Sequence, residues 1–161
     1  MIDHKLQQII PAILEWVRLR EEITGVALTG SHARGEARED SDIDLLIFTE
    51  NPKTFGQTGW IKDINWNKIN LEFRSSNDGF YGNNQFIQFL FTSGLEIEFI
   101  FPDREWLNDA PLKPETIYIL KKGFVILYDR GQKLKQLQQK LNPNCPKDLK
   151  SFAIPYRIRE L

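Results

Sequence analysis

The sequence predicts a mixed α/β domain, a sheet of about five strands packed on one side by helices. Three features carry this reading. Leu6, Ile9, Ile10, Ile13, Leu14 and Val17 recur at helical spacing near the start. Two short runs, Val26–Thr29 and Leu45–Phe48, have the length and composition of buried strands. Leu95–Phe101 alternates apolar and acidic residues at period two, as a half-buried strand does. A chain of 161 residues is the size of one ordinary domain and can bury a proper core. Residues 1–141 are expected to form that domain, and 142–161 a proline-rich, basic tail.

Taken in order, Asp3 is placed to cap a helix over about residues 4–21. Pro11 forfeits the bond to the carbonyl of residue 7, so the helix is expected to bend or restart there. After Leu45–Phe48, Asn51-Pro52 opens a loop containing Gly56 and Gly59, and Trp60–Asn67 follows neither period cleanly. Ile69–Phe73 alternates and reads as a strand with Ile69, Leu71 and Phe73 inward. Ser75–Asn84 is dense in Ser, Asn, Asp and Gly and reads as a loop. Phe86–Phe91 and Leu95–Phe101, joined by Thr92-Ser93-Gly94, read as a hairpin. Pro114–Lys122 starts with proline in its first turn and reads as a short helix. Gly123–Tyr128 reads as a strand, turned by Asp129-Arg130-Gly131, and Leu134, Leu137 and Leu141 mark one face of a last helix. Tyr128-Asp129 reads as a structural strand end.

The stretch between the first two strands holds the chemistry. Gly30-Ser31 is followed, after ten residues, by Asp42-Ile43-Asp44. Side chains two apart on a strand share a face, so Asp42 and Asp44 point together while Ile43, Leu45 and Ile47 point into the core. Two carboxylates on one strand face are costly unless something positive binds between them. Hard divalent cations such as Mg²⁺ take oxygen ligands, commonly one or two carboxylates plus substrate phosphates. Glycine lets the backbone approach a ligand closely, and N–H groups at the start of a following helix favour anions. The Ser31 hydroxyl can donate to a phosphate oxygen. The combination points to a metal-bound polyphosphate.

This joined pattern closely resembles the signature of the DNA polymerase β-type nucleotidyltransferase superfamily. It is most similar to the minimal nucleotidyltransferases and the aminoglycoside adenylyltransferases. The motif covers about fifteen residues, with weaker similarity to roughly residue 130. The resemblance implies a polymerase β-like fold, an NTP donor, most often ATP, and two Mg²⁺ ions. It implies that Gly30 and Ser31 hold the β- and γ-phosphates and that Asp42 and Asp44 carry the metals. A third carboxylate comes from a neighbouring strand, where Glu96 and Glu98 are the candidates. A turn glycine preceding an Ile-Asp strand in the antibiotic adenylyltransferases is matched by Gly94-Leu95-Glu96-Ile97-Glu98. That register selects Glu98, which would bind metal on the acceptor side and receive the acceptor's proton. Here the sequence departs from the family, which usually has Asp at this position. Arg34 and Arg38 are assigned to neutralising phosphate charge, and Glu72 is a weaker candidate for a further acid. His32 occupies a variable motif position expected to be exposed, and with only His4 beside it a zinc site is not credible.

Composition excludes several alternatives. With 21 basic and 22 acidic residues the net charge is −1, which supplies no general field for nucleic acid. Cys145 is the sole cysteine, so no internal disulfide forms. No signal-peptide profile opens the sequence and no apolar run reaches membrane length, which makes the cytoplasm the expected compartment and excludes a membrane partner.

The antibiotic-modifying members of the family it resembles build their acceptor pocket with a second, helical domain, and no such domain is expected here. The acceptor site is therefore expected from a second copy or a helical partner protein, or the acceptor is itself a protein. Minimal nucleotidyltransferases often act beside such a partner. Three readings stand at this point. The first is an enzyme moving NMP, foremost AMP, onto a hydroxyl of a protein or a small molecule. The second directs the same chemistry at an aminoglycoside-type antibiotic. The third is a non-catalytic nucleotide- or partner-binding module.

Overall fold

The structure, a computed structural model, describes residues 4–107, 114–121 and 123–141. The chain runs α1 (His4–Arg18), β1 (Ile23–Thr29), α2 (Gly30–Ala33), β2 (Ile43–Thr49), β3 (Phe73–Tyr81), β4 (Asn84–Phe91), β5 (Glu96–Phe101), α3 (Pro114–Lys121), β6 (Val125–Asp129) and α4 (Lys133–Leu141). The strands form a single six-stranded sheet in the order β3-β4-β5-β2-β1-β6. Among the described residues only β2 and β5 pair in parallel, and every other neighbour is antiparallel. A parallel pair needs a long crossover. Here that crossover contains the whole β3–β4 hairpin.

Helix α1 buries the stripe read from the sequence, with Leu6, Ile10, Leu14 and Val17 fully enclosed. It runs unbroken through Pro11 and ends at Arg18, so it does not restart at the proline. Its last carbonyls are closed by tight bonds from Leu19 N to Trp16 O and from Arg20 N to Val17 O.

Helices cover both sides of the sheet, not one. On the first face, α1 packs over Val26, Leu28, Ile43, Leu45, Ile47, Ile97 and Phe99. On the second, Leu120, Leu134 and Leu137 of α3 and α4 close over Ala27, Leu46, Phe48 and Ile100. The apolar strands are thus buried on both faces, which is why Leu45–Phe48 is an unbroken apolar run. Asp129 accepts bonds from Leu134 N and Lys135 N, both at 3.0 Å, and so caps α4. The structural reading of Tyr128-Asp129 holds.

The loop expected from Asn51-Pro52 is corrected in part, and the stretch Trp60–Asn67, which follows neither period, is resolved. Three short 3₁₀ turns, Pro52–Gly56, Thr58–Asp63 and Asn67–Ile69, carry buried Phe55, Trp60, Ile61, Ile64 and Trp66 into the first face. Trp60 stacks on Trp16 at 5.1 Å and meets Phe55, Phe89, Phe99 and Phe101 edge-on. The indole N–H groups of Trp60 and Trp66 donate to the carbonyls of Phe55 and Ile61, which makes their burial affordable.

Two further expectations fail together. The strand expected at Ile69–Phe73 starts only at Phe73, because Asn67–Ile69 is a 3₁₀ turn and Asn70 adopts a left-handed conformation at φ 58°. Ile69 and Leu71 still pack against the core, whereas Phe73 is largely exposed. Ser75–Asn84, expected as a loop, is most of β3, a two-residue turn and the start of β4. Gly82 supplies the positive φ, 62°, that a turn of this length requires at its first central position. The sixth strand is this edge strand. The hairpin of β4 and β5 and the strand at β6 agree with the sequence reading. The tail expected at 142–161 and Lys122 lie outside the described residues.

Candidate active site

The antiparallel β1–β2 pair and the parallel β2–β5 pair bring three strand ends to one edge: the C-terminal end of β1 and the N-terminal ends of β2 and β5. Thr29 pairs with Asp44, Ile43 with Ile97, and Asp44 with Glu98. Period two then places Asp42, Asp44, Glu96 and Glu98 together on the second face, beyond the part that α3 and α4 cover.

These four acids associate in twos. Asp44 shares a hydrogen bond with Glu98, and Glu96 shares one with Asp42. Burial, then the bond and charge of Glu98, push the Asp44 carboxyl up to about 7, with Asp42 adding to the rise and Arg34 opposing it. The hydrogen bond to Asp42 raises Glu96 as well. Neutral donors from the outer strands hold the glutamates. The Tyr81 hydroxyl donates to Glu98 Oε1 at 2.7 Å, and Gln88 Nε2 donates to Glu96 Oε2 at 3.1 Å.

Gly30 begins α2 directly after β1, with φ 75°. A Cβ built there would fall far inside van der Waals contact of Asp44 Oδ2. Glycine is therefore required twice over, once by the backbone conformation and once by the carboxylate beneath it. Ser31 follows, half-buried, at the same edge. Arg34 is partly buried, pairs with Glu36 at 3.1 Å and lies near enough to Asp44 to stabilise its charge. Arg38 is exposed and lines a cleft of about 540 Å³ with Glu39, Asp40, Ser41, Ser93, Gly94 and Leu95. That cleft opens between the approach to β2 and the turn before β5.

Of the residues expected in the site, Asp44 and Glu98 are brought into direct contact, Asp42 lies beside Asp44, and Gly30 and Arg34 approach Asp44 from the loop. Glu72 lies exposed ahead of edge strand β3, with β4 between it and β5. His32, expected to be exposed, is buried, and its Nε2 has no hydrogen-bond partner among the described residues. Sequence reasoning missed Gln88 and Tyr81. Gln88 carried a signal, being the polar residue that alternates with Ile87 and Phe89. Tyr81 carried none.

The residues suit a hard cation by chemistry. Their donors are all carboxylate oxygens, and like charges stand side by side with the Asp44 carboxyl raised in consequence. Among the described residues no three potential ligands are gathered into a ready-made cage. Mg²⁺ does not demand one, since it is ordinarily held by one or two carboxylates with phosphate oxygens and water.

Residues 10–150 match the nucleotidyltransferase domain family, and the chain belongs to it. A Methanocaldococcus jannaschii protein described as a candidate protein adenylyltransferase is 25% identical over 146 residues, covering 89% of this chain and 85% of that protein. Among solved structures, an aminoglycoside 6-adenyltransferase from Bacillus subtilis aligns with TM-score 0.44 and 18% identity, over 65% of this chain and 37% of its own. The polymerase core of TRAMP, an RNA surveillance complex, aligns with TM-score 0.39 and 21% identity, over 66% and 35%. The chain thus spans little more than a third of those solved structures. Among the described residues no helix is long and apolar enough to cross a membrane.

Proposed function

We propose that the protein transfers an NMP, foremost AMP from ATP, to a hydroxyl acceptor, with Asp42, Asp44 and Glu98 holding two Mg²⁺ ions. The contact of Asp44 with Glu98 across the β2–β5 ladder carries this reading. Two like carboxylates, one of them substantially buried, form a place where a cation relieves a repulsion already built into the fold. Bound there, the metal would neutralise phosphate charge and stabilise both oxygens of an in-line displacement.

The remaining roles fall to the chain itself. Gly30 admits the triphosphate close to the backbone, because no side chain stands between it and Asp44. The Ser31 hydroxyl donates to a phosphate oxygen. Arg34, and Arg38 from the cleft rim, offset phosphate charge. Glu98, on the acceptor side, takes the acceptor's proton.

A protein hydroxyl as acceptor is supported by the description of the Methanocaldococcus relative, which aligns over most of both chains. The acidic residues lining the cleft, Glu39 and Asp40, favour a second reading in which the acceptor is a small hydroxylated cation of the aminoglycoside type.

The test is calorimetric titration of each NTP with Mg²⁺ into the native protein and into an Asp42→Asn/Asp44→Asn variant. Metal-dependent binding of one NTP, abolished in the variant, is expected and names the donor. A folded native protein that binds no NTP overturns the proposal and leaves a partner-binding module. Transfer of label from that NTP to protein or to small cationic hydroxyl compounds then separates the two acceptor classes.

A further inference from the structure

The third acid of this site is a glutamate, one methylene and one torsion longer than an aspartate. A side chain with that freedom pays more entropy to be held in one place, so a ligand glutamate needs an anchor. Tyr81 is placed to be one. We propose that Tyr81 is a positioning residue for Glu98: its hydroxyl pins one carboxylate oxygen and leaves the remaining capacity of the group for Asp44 and for a cation. The inference rests on the proposed role of Glu98 as a metal ligand.

Four observations converge on it. The Tyr81 hydroxyl donates to Glu98 Oε1 at 2.7 Å, a short charge-assisted bond. The Tyr81 ring stacks on Phe86, with centroids 4.4 Å apart and planes 24° apart, so its direction is set by packing. Phe86 in turn lies against Gly79 on the neighbouring strand, where any Cβ would meet the ring at 2.7 Å. The backbone of Tyr81 is tied down independently: buried Asn84 donates to the Tyr81 carbonyl at 3.0 Å and accepts from Asp103 N at 2.8 Å. Gly79, Phe86 and Asn84 thus form a support whose product is the direction of one hydroxyl. Partners of this kind typically govern metal affinity by about tenfold or more.

Tyr81→Phe deletes the hydroxyl and keeps the stack. The measurement is calorimetric affinity for Mn²⁺, with and without the NTP identified above, in a double-mutant cycle with Glu98→Asp. The shorter Asp cannot keep the contact with the Tyr81 hydroxyl. Expected is about tenfold weaker Mn²⁺ binding in Tyr81→Phe, an unchanged melting temperature, and no further loss when Tyr81→Phe is added to Glu98→Asp. Unchanged affinity in Tyr81→Phe, or an equal loss in both backgrounds, overturns the positioning role. A native protein that binds no Mn²⁺ at all overturns the metal-site reading beneath it, which is a separate outcome. If Tyr81→Phe fails to fold, Gly79→Val, which displaces the Phe86 ring, supplies the same comparison: affinity reduced through Glu98 supports the role, and unchanged affinity refutes it.

Discussion

Gly30 sits directly over the carboxylate of Asp44, with no room for a β-carbon between backbone and Oδ2. The Gly30-Ser31 loop and the acid-bearing strand are therefore fitted to each other at a single glycine. Gly30→Ala is expected to cost about 1–2 kcal/mol from the left-handed backbone alone. The displaced Asp44 should further abolish metal-dependent nucleotide binding. Chemical denaturation and calorimetry on the variant check the two effects separately, and an alanine variant of native affinity contradicts the close fit.

Asp44 also gives the protein a pH-dependent stability. Its pKa is raised from 3.8 to about 7 on folding, so the unfolded chain releases this proton first as pH increases. The native state is then penalised progressively from about pH 4 to about pH 7. At about 1.4 kcal/mol per unit, the ceiling on that penalty is about 4 kcal/mol. Asp44→Asn should stabilise the metal-free protein at pH 8 and change it little at pH 4. Urea denaturation at the two pH values decides this, and equal differences at both would contradict it.

Metal should reverse the same penalty. Ligands that bind only the folded state stabilise it by mass action, and protons compete for these carboxylates. Mg²⁺ with the cognate NTP should raise the melting temperature clearly at pH 8 and much less at pH 5. A shift of equal size at both would place the cation away from Asp44 and Glu98.

Trp60 joins α1 to β4 and β5, touching Trp16, Phe55, Phe89, Phe99 and Phe101. Trp60→Ala should cost about 3–5 kcal/mol, read by denaturation. Asp129→Ala, which removes the cap of α4, should cost only about 1 kcal/mol. A reversal of that order would contradict the packing described for the first face.

The acid-bearing strands were legible because their patterns are local. Ile43, Leu45 and Ile47 alternate with Asp42 and Asp44, and Ile97 and Phe99 alternate with Glu96 and Glu98, so period two assigns the acids to one face without any tertiary information. Edge strand β3 was not legible. Arg74-Ser75-Ser76-Asn77-Asp78-Gly79 has the composition of a loop, and it is nearly all exposed. What makes it a strand is the ladder of backbone bonds to β4, which has no side-chain signature. The buried aromatics of residues 55–66 were hidden for the opposite reason. They reach the core from 3₁₀ turns, where neither period applies.

By itself, then, the sequence determined the order of the main strands, the helix α1, the glycine-serine turn and the side of the strand on which each acid stands. These follow from chain stereochemistry and the spacing of apolar residues. Only the tertiary structure decided which acids meet. The parallel register sets Asp44 beside Glu98, burial and that neighbour raise the Asp44 carboxyl, and the hairpin brings Tyr81 to Glu98 from seventeen residues away. Contacts between distant segments depend on register and packing, and no local pattern encodes them.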